Sequence, residues 1–200
     1  MIDHKEAQNH FPIHPLLKKR WSPRTFSDAA IEPEKIRSLF EAARWSPSAA
    51  NQQPWRFIVG LKGDACWQNI FGTLEKYNKV WADKPYLLGM SIGKTHFPDD
   101  KGPNPYHAYD TGQSLAHLSF QATQEGLYVH QMAGFDKEMA REIFEIPEDF
   151  APLTVFAIGY LGKIEELDEF NQKREMAPRE RMEFGDWVFS GKFGQESGLF

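Results

Sequence analysis

The sequence predicts an α+β fold, a sheet wrapped by helices. Several segments carry apolar residues at helical spacing, four short runs rich in strand formers lie between them, and the two kinds do not alternate regularly enough to compel a doubly wound parallel sheet. Pro33 stands where a helix begins, and Ile36, Leu39, Phe40 and Ala43 follow as one buried stripe that ends near Trp45. A first strand is expected from Trp55 to Leu61. Asp64 is placed to cap a second helix carrying Trp67, Ile70, Phe71 and Leu74 inward. A second strand follows over 86–92. A third helix starts near Asp110, buries Leu115, Leu118 and Ala122, and meets Gly126, which supplies the left-handed residue that ends helices. Strands over 127–132 and 153–161 flank a shorter helix after Asp136. Residues 1–13 form a polar N-terminal arm, and 14–200 read as a single domain with an irregular tail.

Composition narrows the function. The chain has 200 residues, 41% of them hydrophobic and 14% aromatic, enough for a sizeable core. Its net charge of -5, from 23 basic against 28 acidic residues, argues against a general affinity for nucleic acid. The single cysteine, Cys66, excludes an internal disulfide framework, and no run approaches the roughly 20 apolar residues of a membrane span. No membrane partner is expected, and the cytoplasm is the expected location.

Most motif chemistries fail on inspection. Gly89, Gly93, Lys94 and Thr95 suggest a phosphate-binding loop, but Leu88 stands where that motif needs glycine. No dinucleotide fingerprint and no nucleophile elbow occurs. Pro12 denies His10 and His14 the helix that would align them, so no metal site is expected. His117 and His130 stand alone in regular elements and are assigned no role. The acidic run Glu165, Glu166, Asp168 and Glu169 reads as a solvated face.

Two segments are more informative. Arg20, Ser22 and Arg24 fall within five residues, with Pro23 discouraging a helix through them. Alone, they are either a phosphate clamp of guanidinium and hydroxyl donors or a pair of surface arginines. Trp45-Ser46-Pro47-Ser48-Ala49-Ala50-Asn51-Gln52-Gln53-Pro54-Trp55 then crowds small and amide side chains ahead of a strand. Such a loop either admits a flat, polar-edged molecule or simply connects helix to strand. The 93–109 stretch, with Phe97, Tyr106, His107 and Tyr109, is long enough to be a substrate lid.

Together, Arg20-Trp21-Ser22-Pro23-Arg24-Thr25-Phe26 and Ala42-Ala43-Arg44-Trp45-Ser46-Pro47-Ser48-Ala49-Ala50-Asn51-Gln52-Gln53-Pro54-Trp55-Arg56-Phe57 closely resemble the FMN-dependent nitroreductase family. The resemblance covers roughly residues 14–184. It implies a central, mostly antiparallel sheet wrapped by helices, an intertwined homodimer with FMN at the interface, and NADH or NADPH as electron donor. It further implies ping-pong hydride transfer through flavin N5 to a small-molecule acceptor such as a nitroaromatic or quinone. The alternatives are a flavin-binding or sensing protein with little turnover and a relative doing reductive dehalogenation.

By the same resemblance, Arg20, Ser22 and Arg24 hold the FMN phosphate and nearby flavin polar atoms, and Arg179 and Arg181 close on the phosphate. Pro47, Ser48, Ala49 and Asn51 reach the flavin from the partner subunit. Met132, Ala133 and Gly134 pack on one flavin face and offer a backbone amide toward N5, while Asn78 contacts the ribityl chain or ring. Several nitroreductases carry an acidic residue where Ala133 stands. No catalytic side chain is implied, because the chemistry belongs to the flavin.

Overall fold

In the computed structural model, which describes residues 5–99 and 101–200, four strands form one sheet in the order β1-β2-β4-β3 with every pairing antiparallel. They are β1 (Trp55–Leu61), β2 (Leu87–Lys94), β3 (Tyr128–Met132) and β4 (Phe150–Gly159). Residues 1–4 of the expected arm and residue 100 of the 93–109 stretch lie outside the described residues. The sheet is fully antiparallel, in keeping with the expected α+β class.

Helices cover both faces, so the two central strands have almost no solvated side. β2 is buried from Leu87 to Gly93, unlike the alternation of a one-sided sheet. On one face, α2 (Pro33–Arg44) packs on α5 (His107–Gln124), and Leu39, Ala43, Leu115 and Leu118 meet Leu87, Phe156 and Ile158 of the sheet. On the other, α3 (Ala65–Thr73) and α6 (Lys137–Ile143) set Trp67, Ile70 and Ala140 against Leu88, Met90 and Val155. The period-2 alternation of β2 and β4 thus sorts their side chains into two cores. Pro152 lies in β4 opposite a register shift between Ser91 and Ile92, where the missing amide is tolerated.

The helix starts follow the sequence closely. The Asp64 carboxylate accepts the Trp67 amide at 2.6 Å, and the Asp136 carboxylate accepts the Met139 amide at 2.9 Å. Gly126, at φ 74°, follows α5 as the expected left-handed residue. Other boundaries move. β2 runs on through Lys94 and α5 opens at His107, so the irregular stretch is only 95–106, and His107 and Tyr109 belong to the first turn of a helix. The Asn104 side chain sets that earlier start by accepting the Tyr106 amide at 3.0 Å.

Three short helices carry no expectation from the sequence: α1 (Pro15–Lys19), α4 (Lys76–Lys79) and α7 (Glu169–Met176). The last of these shapes the site. Asp168, read as part of a solvated acidic face, is its N-cap, accepting the Asn171 amide at 3.0 Å. The buried residues of α7 are Asn171 and Glu175, which leave no apolar stripe to read.

Candidate functional site

β3 is an edge strand, and an edge leaves backbone donors and acceptors open to a ligand. Along it lies a bay of about 360 Å³. It is lined by His130, Gln131, Met132 and Ala133 at the end of β3, by Tyr77, Asn78, Val80 and Trp81, and by Asp168, Phe170, Asn171 and Arg174 in and before α7. Arg24 reaches in from the loop after α1. Four of the residues expected from the sequence, Arg24, Asn78, Met132 and Ala133, therefore meet here although more than 100 residues separate the first from the last.

Gly134 follows Ala133, the last bay-lining residue of this segment. The Asn78 side-chain amide donates to its carbonyl at 3.0 Å, and the Glu75 amide donates to the same oxygen at 3.1 Å. A Cβ at Gly134 would overlap the phenol of Tyr77 and press on the Asn78 amide. A larger residue there would require the exposed Tyr77 ring to move.

The loop bearing Arg24 is fixed by protein groups on several sides. The Thr25 hydroxyl donates to the Lys163 carbonyl at 2.9 Å, and the Arg24 amide donates to Glu175 at 2.9 Å. His130 Nδ1 donates to the Pro23 carbonyl at 2.7 Å, with Trp81 covering the imidazole at 4.4 Å between ring centres. Burial, together with the charges of Arg24 and Arg174, holds the His130 pKa at about 4 instead of 6.5, so the ring is neutral at pH 7. Burial likewise pushes the Glu175 carboxyl up, against the pull of the Arg24 amide and guanidinium.

Arg20, Ser22, Arg179 and Arg181 do not line the bay; the three arginines form a separate basic group. Arg20 Nη1 donates to the Ser22 hydroxyl at 3.3 Å, and burial followed by the nearby charges of Arg179 and Arg181 lowers the Arg20 pKa. Arg179 donates to the carbonyls of Lys5 and Lys18 at 2.9 and 3.1 Å, which stitches the arm and the tail together. Arg179 and Arg181 also line a second cavity of about 750 Å³, with Phe11, Phe184 and Trp187. Crowded guanidiniums repel one another, so the cluster suits a multiply charged anion such as a phosphate monoester. With the open edge amides and the Gly134 approach, this donor set fits a flat ring carrying a phosphate tail.

The other expected residues lie elsewhere. None of Pro47, Ser48, Ala49 and Asn51 lines the bay. They form a tight turn after α2 in which Ala50, Asn51 and Gln53 hold φ near 50°. The Ser48 hydroxyl accepts the Gln53 amide at 3.0 Å, and the buried Asp110 accepts the Ala49 amide at 3.1 Å. None of Phe97, Tyr106, His107 and Tyr109 touches the bay either. Phe97 lines a separate cavity with His96 and Asp149, and the His107 ring is bonded to the Asn104 carbonyl.

Sequence reasoning missed His130, Tyr77, Trp81 and the whole α7 wall. His130 had a usable signal, since it is two residues before Met132 on one strand and so shares its face. The α7 residues had none.

Comparison with known proteins bears on the family. Residues 17–66 match the model of the Nitroreductase family. A solved structure described as an oxidoreductase containing FMN superposes with a TM-score of 0.90 at 32% identity, covering 95% of this chain and 97% of the other. A nitroreductase family protein from Clostridium difficile 630 gives a TM-score of 0.69 at 25% identity, covering 89% and 97%. In sequence, the chain is 31% identical over 147 residues to an uncharacterised 15.4 kDa protein of Mycolicibacterium smegmatis, covering 70% of this chain and 97% of the relative. It is 28% identical over 178 residues to a Streptococcus pyogenes serotype M6 protein provisionally named an NAD(P)H nitroreductase, covering 72% and 88%.

Proposed function

This chain belongs to the nitroreductase family, and from that premise we propose that it is an FMN-dependent oxidoreductase that carries hydride from NADH or NADPH to a flat oxidised acceptor such as a nitroaromatic or quinone. The observation that carries the reading is the bay on the β3 edge, which gathers Arg24, Asn78, Met132 and Ala133 from distant parts of the chain. FMN, when bound, supplies the chemistry: it accepts hydride at N5 and passes it on.

The chain's own residues bind and orient. Arg20 and Ser22 hold the phosphate, and Arg179 and Arg181 close on it. Arg24 and Asn78 face the polar atoms of the ring and ribityl chain. Met132 and Ala133 form the floor beneath the ring, and the Gly134 segment brings a backbone amide close to it. No side chain acts as nucleophile, and the neutral His130 holds the Arg24 loop in place through Pro23.

In this reading the protein is a homodimer with FMN at the interface, and Pro47, Ser48, Ala49 and Asn51 of each copy complete the site of the other. Residues 14–200 make one FMN-binding domain, to which Arg179 ties the arm through the Lys5 carbonyl. The 95–106 stretch and the exposed Tyr106 and Tyr109 form the lid over an acceptor.

The first test is to purify the protein without added cofactor, record its visible absorbance and identify any released chromophore. A yellow protein yielding about one FMN per subunit, bleached rapidly by NADH or NADPH and recoloured by a nitroaromatic, supports the proposal. Retained FMN that both nicotinamides reduce only slowly would favour a flavin-binding or sensing role instead. Protein that stays colourless and takes up no added FMN overturns the proposal.

A further inference from the structure

The α7 helix buries a carboxylate behind Arg24, which lines the bay. Glu175 is 1% exposed. A buried carboxylate is costly unless paired, and an apolar side chain of similar volume would ordinarily pack such a position as well or better. The pairing is with Arg24 on two counts: one carboxylate oxygen accepts the Arg24 backbone amide at 2.9 Å and lies 3.6 Å from its guanidinium. Arg24 also lines the bay, together with His130 and Met132.

Arg24 is therefore held between a fixed negative charge in the protein and the space where a ligand binds. Two further cations surround the carboxylate and the bay. Lys5 donates from its ammonium to the carbonyls of Arg174 and Ala177 at the end of α7, and its charge acts on Glu175. Arg174 stacks over Phe170 at 5.4 Å on the bay wall.

We infer that Glu175 is a positioning residue that sets the positive charge Arg24 presents to the flavin, and so lowers the reduction potential of bound FMN. This rests on the FMN reading of the bay. A carboxylate 3.6 Å from a guanidinium cancels much of its field in a poorly hydrated wall, where charge interactions are far stronger than in water. The two-electron-reduced flavin ring is more electron-rich and more readily anionic than the oxidised ring. An uncompensated Arg24 would favour the reduced form, and Glu175 opposes that preference. The consequence is a flavin that gives up its electrons more readily to an acceptor.

The test is the midpoint potential of FMN-loaded wild type and Glu175→Gln, measured against reference dyes, with urea unfolding as a check on folding. The Gln side chain keeps an acceptor for the Arg24 amide and removes the charge. The expected result is a rise in potential equivalent to at least a tenfold preference for reduced over oxidised FMN, about 30 mV for a two-electron couple. In an Arg24→Gln background the same replacement is expected to shift that preference less than twofold.

If Glu175→Gln does not fold, Glu175→Asp, which keeps the charge but withdraws it by one methylene, should raise the preference two- to threefold. A folded, FMN-loaded Glu175→Gln protein within twofold of wild type overturns the inference, as does an equal shift in the Arg24→Gln background. Both results leave the FMN reading standing. A wild type that binds no FMN overturns that reading itself.

Discussion

His130 Nδ1 donates to the carbonyl oxygen of Pro23 at 2.7 Å, joining the edge strand that lines the bay to the loop that carries Arg24. A carbonyl can only accept, so Nδ1 carries a proton. Burial, with the charges of Arg24 and Arg174, keeps the ring neutral at pH 7, so the other nitrogen carries none.

The pH dependence of stability follows. The folded-state pKa of His130 is lowered from 6.5 to about 4 by burial and by the charges of Arg24 and Arg174. Its contribution is complete above pH 6.5 and is lost as pH falls toward 4, because in that window the unfolded chain binds a proton that the folded chain refuses. The full loss is on the order of 3 kcal/mol, with about 2 kcal/mol already gone at pH 5. Glu175, whose pKa is raised above 4.5 by burial, slopes the other way: its contribution is complete below 4.5 and is lost as pH rises through its folded value. Urea unfolding of wild type and His130→Gln side by side isolates the histidine. The variant should lose less stability than wild type between pH 7 and 5, and parallel curves would rule out a buried neutral ring.

The basic cluster predicts a selective loss. Arg20 bonds Ser22 and sits within the field of Arg179 and Arg181. Replacing it by Gln removes charged donors meant for a phosphate, each worth about 1.5 to 3 kcal/mol, or roughly a ten- to hundredfold weaker FMN affinity. Riboflavin lacks the phosphate, so its affinity should hardly change. Fluorescence titration with both ligands checks this, and an equal loss for the two would place Arg20 away from the phosphate.

Much of this architecture is legible in the sequence because it rests on local physics. The stripe Ile36, Leu39, Phe40 and Ala43, the caps Asp64 and Asp136, and Gly126 after α5 each act within a turn or two of themselves. Of the compact string from Arg20 to Arg24, Arg24 lines the bay. What escaped is nonlocal. Glu175 sits on a helix with no apolar stripe, and its partner Arg24 is 151 residues away. Trp81 meets His130 only because two distant segments fold onto the same end of the sheet. The 93–109 stretch was read as one loop because Gly93 and Lys94 look like loop residues, whereas their backbone pairs with Ala151 and Phe150 of β4.

Gly134 offers a steric test. A Cβ there would overlap the Tyr77 phenol, the far end of an exposed side chain, and would crowd the Asn78 amide at 3.1 Å. Gly134→Ala should cost about 1 to 3 kcal/mol by overpacking, and FMN affinity should fall with the displaced Asn78 contact. Removing the obstruction with Tyr77→Ala in the same chain should recover most of the stability. Equal stability of the single and double variants would mean that Tyr77 is not what the new methyl meets.

Asp110 tests the turn proposed to complete a second copy's site. Its carboxylate is 2% exposed and accepts the Ala49 amide at 3.1 Å, anchoring a turn in which Ala50, Asn51 and Gln53 all hold positive φ. Non-glycine residues in that region are strained by about 1 kcal/mol or more each, so the turn persists only while its anchors over-determine it. Asp110→Asn keeps an acceptor oxygen and should leave the turn in place. Asp110→Ala leaves the Ala49 amide without its partner, and should cost about 1 to 3 kcal/mol. Hydrogen exchange resolves the two: the amides of Ala49 and Gln53 should exchange at least tenfold faster in the Ala variant, while those of β2 keep the wild-type rate. If the Asn variant loosens the turn as much as the Ala variant does, an acceptor oxygen at this position is not enough to hold the turn.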